Sequence, residues 1–251
     1  MDQSATALSV SGLSKSFGAL AVTQDVTFQV ASGAALGIIG PNGAGKTTLF
    51  NLICGTLRAN GGTITALGTD IGAMDTRRRC LLGLARTFQV PQPFAGLTAY
   101  ENVLIAAAYG RGLSEHAARR HARAALDQTG LDPRANRLAG TLTLLDRKRL
   151  ELARALATGP RLLLLDEIAG GLTEEECHAL VALIRELRTT GTTIVWIEHV
   201  LHALLAVVDE VLVLDFGKVI AKGAPDAIMR DPQVAAVYLG PDADEREARH
   251  G

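Results

Sequence analysis

Gly40-Pro41-Asn42-Gly43-Ala44-Gly45-Lys46-Thr47-Thr48 fits the pattern G-x-x-x-x-G-K-[ST]. It stands between a short apolar run, Ala34 to Ile39, and a helical pattern from Lys46 to Leu57. That strand–loop–helix setting is the one in which such a match marks a phosphate-binding loop. Its glycines let successive backbone N–H groups curl round a phosphate, and the helix N-terminus adds partial positive charge. Lys46 can bridge β- and γ-phosphate oxygens of a nucleoside triphosphate, while the Thr47 hydroxyl can ligate Mg2+. The competing reading is a Gly-rich turn with an exposed lysine, and the flanking elements speak against it.

A phosphate loop calls for a second, acidic strand end to hold the metal. Leu162-Leu163-Leu164-Leu165-Asp166-Glu167 supplies one: four aliphatic residues and then two carboxylates, where a strand would meet the nucleotide edge of a sheet. Asp166 is expected to hold Mg2+ through water, and Glu167 to act as base or water-orienting group for attack on the γ-phosphate. Taken alone, the pair also admits the weaker reading of a strand ending in solvated acids.

The remaining chain supports an α/β core. Ala7 to Ala31 alternates apolar and polar residues as half-buried antiparallel strands do, and Gly61 to Ile71 and Leu84 to Gln89 have strand character. Tyr100–Tyr109, Ser114–Gly130 and Asp146–Ala157 read as helices, with Ser114 as an N-cap and Gly130 just past a C-terminus. Arg161–Asp166 and Thr192–Ile197 read as strands, Thr173–Thr190 and Val200–Val208 as helices, and Val211–Ile220 as a hairpin turning at Phe216-Gly217. Strands alternating with helices imply a largely parallel core sheet. The predicted fold is therefore an α/β P-loop NTPase with a mostly parallel core sheet, an antiparallel β subdomain and a helical subdomain over residues 95–160. Residues 1–240 form one domain in this reading, with a polar tail over 241–251.

Composition sets bounds on function. With 25 Lys and Arg against 26 Asp and Glu in 251 residues, the chain has no basic footprint for nucleic acid. No apolar stretch reaches the roughly 18 residues needed to cross a bilayer. Met1-Asp2-Gln3-Ser4 carries an acid where a signal peptide carries basic residues, so export is not expected. Cys54, Cys80 and Cys177, an odd number without metal-ligand spacing, do not form a disulfide framework. Cys54, Cys177 and Trp196 read as core residues, and Arg77-Arg78-Arg79 as a solvated face rather than a contact to anionic lipid.

Over nearly its whole length the chain resembles the ATP-binding subunits of ABC transporters. Phe17, in Ser14-Lys15-Ser16-Phe17-Gly18, resembles the family's adenine-stacking aromatic, and Gln89, in Arg86-Thr87-Phe88-Gln89, the glutamine that senses Mg2+ and γ-phosphate. Leu97-Thr98-Ala99-Tyr100-Glu101-Asn102-Val103 is similar to the run opening the family's helical subdomain, and Arg149 to Leu156 to the helix after its signature loop. His199 stands at the switch-histidine position. Singly these residues say little, since a lone Phe is usually a packing residue and a histidine ending a strand usually a capping one. The order of aromatic, phosphate loop, Gln, helical block, acidic pair and His carries the resemblance. Gly217 to Gly223, Asp231 to Val234 and Tyr238-Leu239-Gly240 resemble branched-chain amino-acid importer ATPases. The resemblance implies a RecA-like core, with ATP and Mg2+ as cofactors. It also implies a second ABC ATPase subunit in a hetero- or homodimer, two transmembrane permeases and a periplasmic solute-binding protein, with the chain on the cytoplasmic face of the bacterial inner membrane. Pro91-Gln92-Pro93-Phe94 would then lead into permease contacts.

The pattern breaks at the signature, Leu-Ser-Gly-Gly-Gln in the family. Here Leu142-Thr143-Leu144-Leu145-Asp146 stands in its place. Leu145 replaces a glycine that lets backbone approach phosphate, and Asp146 is expected to present a negative charge to it. Ile168 stands where the family has proline, and Thr173, where it has the D-loop Asp, makes a capping box with Glu176. In this family each ATP lies between one subunit's phosphate loop and the other's signature, so the expectation is an asymmetric pair in which this chain's loop serves the hydrolysing site. Three other readings stay open: a non-transport ABC ATPase, a metabolite kinase, and a regulatory subunit that only binds ATP.

Overall fold

The computed structural model describes residues 6–239, so the expected polar tail and the acid at Asp2 lie outside the described residues. The first two strands, β1 (Thr6–Phe17) and β2 (Leu20–Ala31), pair antiparallel. Leu8, Val10, Val26, Phe28 and Val30 are buried at every second position, and a register shift between Val10 and Leu13, at Gly12, returns Leu13 to the buried face. After β3 (Ala35–Ile39) and α1 (Lys46–Cys54), β4 (Gly61–Ala66) and β5 (Thr69–Asp70) complete a four-stranded antiparallel sheet in the order β2-β1-β4-β5.

The larger sheet has six strands in the order β10-β9-β3-β8-β7-β6. It is parallel from β9 (Glu210–Asp215) through β3, β8 (Thr193–Ile197) and β7 (Leu162–Asp166) to β6 (Leu84–Arg86), with β10 (Lys218–Gly223) antiparallel at its edge. Its strands are apolar on both faces, as a covered parallel sheet requires. Leu163, Leu165, Ile194, Trp196, Val211 and Val213 enter one core, toward α6 (Glu174–Thr189) and α7 (Leu201–Leu205). Leu162, Leu164, Val195, Ile197, Leu212 and Leu214 enter the other, against α1 and the antiparallel sheet. Trp196, Cys54 and Cys177 are buried as expected, and burial pushes the Cys54 thiol up to about 11.

Between β6 and β7 lies a helical layer: α3 (Ala99–Arg111), α4 (Glu115–Gln128) and α5 (Leu144–Ala157). Its core is mostly alanine, including Ala99, Ala107, Ala118, Ala122, Ala125 and Ala153, so the helices approach closely. Asn102 closes the loop entering α3: its Oδ1 accepts from Phe94 N at 2.8 Å and its Nδ2 donates to Thr98 O at 2.9 Å. Thr98 and Glu101 form a capping box on α3, and Thr173 and Glu176 form the expected one on α6.

Several boundaries differ from the sequence reading. Helix α1 stops at Cys54 because Gly55 takes a left-handed conformation, φ 81°. Helix α5 starts two residues early, at Leu144, because Thr143 caps it, and α7 is shorter than the expected Val200–Val208. α8 (Pro225–Met229) and α9 (Pro232–Leu239) follow β10. The segment Arg77-Arg78-Arg79 is not a solvated face throughout. It belongs to α2 (Thr76–Leu82), and Arg79 turns inward while Arg77 and Arg78 stay exposed. The Arg79 guanidinium donates to Leu52 O and Ile53 O at 2.7 Å and to Met74 O at 3.0 Å, satisfying carbonyls that the end of α1 leaves open. Arg79→Ala strands those buried acceptors, a loss of about 3 kcal/mol. The melting temperature should fall by roughly 6–12 °C by circular dichroism. A shift under about 2 °C would show that water replaces the guanidinium.

Candidate active site

The carboxyl ends of β3, β6, β7 and β8 stand side by side, with Ile38 opposite Ile197, Asp166 opposite Ile197, and Arg86 opposite Leu164. Each strand therefore delivers its following residues to the same edge, where parallel sheets bind ligands. β3 delivers the glycine-rich loop, β6 Gln89, β7 Asp166 and Glu167, and β8 His199.

The loop wraps into α1 with little room to spare. A Cβ on Gly40 would fall 2.1 Å from Leu214 O, and one on Gly45, φ +97°, would fall 2.5 Å from Val22 O. Lys46 is buried, its Nζ donating to Gly40 O at 2.6 Å and Pro41 O at 2.9 Å. Burial lowers its pKa, and the nearby Glu167 and Asp166 carboxylates counter that by favouring the ammonium. A cleft of about 560 Å³ opens over this loop, lined by Val22, the segment Asn42-Gly43-Ala44-Gly45-Lys46-Thr47-Thr48, Gln89, Glu167 and His199.

Glu167 has φ 47°, a left-handed conformation unusual for a residue with a side chain. Its backbone N–H donates to Ile197 O at 2.8 Å. One carboxylate oxygen lies 2.8 Å from His199 Nε2, and the other accepts from the Gln89 amide nitrogen. Asp166 is buried behind the cleft. Its Oδ2 lies 2.6 Å from Arg86 Nη2, and its N–H donates to Thr87 Oγ1 at 3.1 Å. Arg86 is itself fixed by Asn51 Oδ1 at 2.6 Å and by the rings of Phe50 and Phe88.

The Thr47 hydroxyl, Gln89 amide oxygen and Asp166 carboxylate are hard oxygen donors, the set that suits partly hydrated Mg2+. Among the described residues no group of three or more His, Cys, Asp or Glu could hold a metal, so any ion here depends on this mixed set and on ligand oxygens.

Two expectations fare differently. Phe17 does not line the cleft. It is half-exposed at the β1–β2 turn, with Lys15 Nζ 5.2 Å from its ring centre. Leu142, Thr143, Leu144, Leu145 and Asp146, expected to serve a partner's nucleotide rather than this cleft, form the entry to α5. There the Asp146 carboxylate is not presented outward as expected. It is buried, 2.8 Å from Arg134 Nε, while its N–H donates to Thr143 Oγ1 at 3.2 Å. Thr143, Leu144 and Arg147 are the exposed residues of this entry.

Several site residues escape sequence reading. Arg86 holds Asp166. Buried Glu198 accepts from Ala169 N at 2.9 Å and His199 N at 3.0 Å, so it closes the turns after β7 and β8 together. Lys148, also buried, reaches Glu167 O at 3.1 Å. Only adjacency to recognised positions could have flagged Arg86 and Glu198, and nothing local flags Lys148.

Residues 23–170 match the family described as ABC transporter, and residues 218–243 match that of the branched-chain amino acid ATP-binding cassette transporter. The high-affinity branched-chain amino acid transport ATP-binding protein BraF of Pseudomonas aeruginosa is 38% identical over 93% of this chain and 97% of its own length. LivG of Escherichia coli K12, of the same description, is 36% identical over the same shares. The lipopolysaccharide export system ATP-binding protein LptB of Haemophilus influenzae is 33% identical over 93% and 97%. A crystal structure of a nucleotide-free ATP-binding cassette from an ABC transporter superposes with a TM-score of 0.86 at 30% identity, covering 94% of this chain and 99% of that one. With a cassette fold, a phosphate loop facing an acidic strand end, and these relatives along most of its length, the chain belongs to the ABC transporter ATP-binding family and is an ATPase subunit of a transport system.

Proposed function

We propose that this subunit energises import of branched-chain amino acids, or a related amino acid or amide, through separate permease subunits from the cytoplasmic face of a bacterial inner membrane. The match of residues 218–243 carries the solute assignment. Its described residues, 218–239, are not among those lining the ATP cleft, so ATP chemistry does not demand their resemblance. The BraF and LivG relatives support the same solute, and the LptB relative makes lipopolysaccharide export the second reading. No described helix is long and apolar enough to cross a membrane, so in this reading the pathway is formed by other chains. A periplasmic solute-binding protein would deliver the solute to them. The exposed Phe88, Val90 and Phe94, between β6 and α3, offer the apolar surface on which a permease would dock.

Residues 1–240 act as one ATPase domain in this proposal, with the helical layer as its mobile part. The main chain and Lys46 hold the phosphates, Thr47, Gln89 and Asp166 hold Mg2+ directly or through water, and Phe17 meets the adenine ring as the dimer closes. Glu167 orients or deprotonates the attacking water, with His199 and Gln89 fixing its carboxylate. Mg2+ would supply charge neutralisation on the β- and γ-phosphates. The entry at Leu142–Asp146 faces the partner's nucleotide. With Leu145 in place of glycine, and Asp146 tied to Arg134, that second site binds nucleotide and turns it over poorly.

Deleting the gene is expected to abolish high-affinity uptake of radiolabelled leucine, isoleucine and valine, with recovery on complementation. Unchanged uptake of all three together with a lipopolysaccharide export defect would favour the second reading.

A further inference from the structure

Helix α5 begins at the altered signature entry and runs beneath the segment that follows β6. Three of its polar residues, spaced i, i+3 and i+6, face that segment. Lys148 Nζ lies 3.5 Å from Gln89 O, Glu151 sits against the Phe88 backbone, and Arg154 donates to Gln92 O at 3.1 Å while covering the Phe94 ring. Arg154 is also paired with Glu151 at 2.9 Å. Of the three, Lys148 alone continues to the reaction centre, through its contact to Glu167 O at 3.1 Å. It is buried at 4% exposure, and its charge has Glu198 and Glu167 as electrostatic neighbours. Burying a lysine ammonium is unfavourable unless it is hydrogen-bonded and matched by opposite charge, and here both conditions are met by groups that also shape the Glu167 turn.

We propose that Lys148 is a positioning residue for ATP hydrolysis, one ammonium fastening the left-handed Glu167 turn and the Gln89 segment to the signature helix. The proposal rests on the reading of Glu167 as the group that acts on the attacking water. It adds a physical means by which movement of the helical layer changes the aim of that group: α5 cannot rotate without dragging or releasing the Glu167 carbonyl. A turn held at φ 47° has no intrinsic preference for that conformation, so a fixed donor on its carbonyl decides how long the carboxylate stays aimed.

The test uses the assembled ATPase with its permeases and four variants. Lys148→Met should lower kcat by roughly tenfold to a hundredfold, the scale of a misaimed catalytic group. The KM for ATP and the binding of a fluorescent ATP analogue should stay within about twofold, since the phosphate loop is untouched. Lys148→Arg, which keeps charge and donors, should recover most of the turnover, and Lys148→Gln, which keeps a neutral amide donor without the charge, should fall between. Full turnover in Lys148→Met beside an inactive Glu167→Gln would overturn the positioning role while leaving the Glu167 reading intact. Equal losses in Lys148→Met and Lys148→Arg with a lowered melting temperature would also overturn it, by showing a purely structural residue. Retained turnover in Glu167→Gln would remove the Glu167 reading itself, and the proposal with it.

Discussion

Glu167→Gln should leave ATP affinity unchanged and reduce turnover by about 100-fold or more, the range expected when a general base is lost. The substitution is nearly isosteric. The amide oxygen can still accept from His199 Nε2, which stands 2.8 Å from the carboxylate, and the turn stays closed by the bond from the residue's N–H to Ile197 O. What disappears is the negative charge and the capacity to take a proton from water. The residual rate also reports on the partner site. If the entry at Leu142–Asp146 supports little hydrolysis, nearly all turnover of a heterodimer passes through Glu167 and is lost. A residual close to half would show two productive sites and defeat the asymmetric reading. Steady-state phosphate release measured beside nucleotide binding separates these outcomes.

The glycine-rich loop, the acidic strand end and the succession of strands and helices along the chain are legible in the sequence because each rests on local rules. Gly40 and Gly45 have backbone neighbours so close that another residue would collide, and the unbroken apolar run of Leu162 to Leu165 follows from a sheet covered on both faces. The unread part consists of long-range polar pairing. Arg79 looks like one of three surface arginines until the fold places the end of α1 against it. Asp146 looks like a charge facing phosphate until Arg134, twelve residues earlier, arrives at 2.8 Å. Lys148 meets Gln89 and Glu167, 59 and 19 residues away, and no pattern along α5 distinguishes it from an exposed helix lysine. Local propensity and periodicity determine the elements. The partner of a buried charge is determined by topology, and it becomes visible only after the strands are ordered.

Lys46→Ala should raise the dissociation constants of ATP and ADP by about tenfold to a hundredfold and leave adenosine binding unchanged. The ammonium lies over the loop, 2.6 Å from Gly40 O and 2.9 Å from Pro41 O, so it is already placed at the mouth of the phosphate cradle. Hydrogen bonds to charged groups contribute about 1.5–3 kcal/mol each, and every 1.4 kcal/mol is a factor of ten in affinity. Burial favours loss of its proton, whereas Glu167 and Asp166 hold the charge in place. A bound triphosphate would add opposite charge on the exposed side, so the lysine is most strongly ammonium when nucleotide is present. Substitution removes that response as well as the contact, and the effect should therefore grow with the number of phosphates: adenosine unaffected, ADP weakened, ATP weakened most. Isothermal titration of the three ligands against both proteins measures the series. Equal affinities for ATP in Lys46→Ala and wild type would place the triphosphate elsewhere, and the roles assigned to Glu167, His199 and Gln89 would fall with it, since all three face this one cleft.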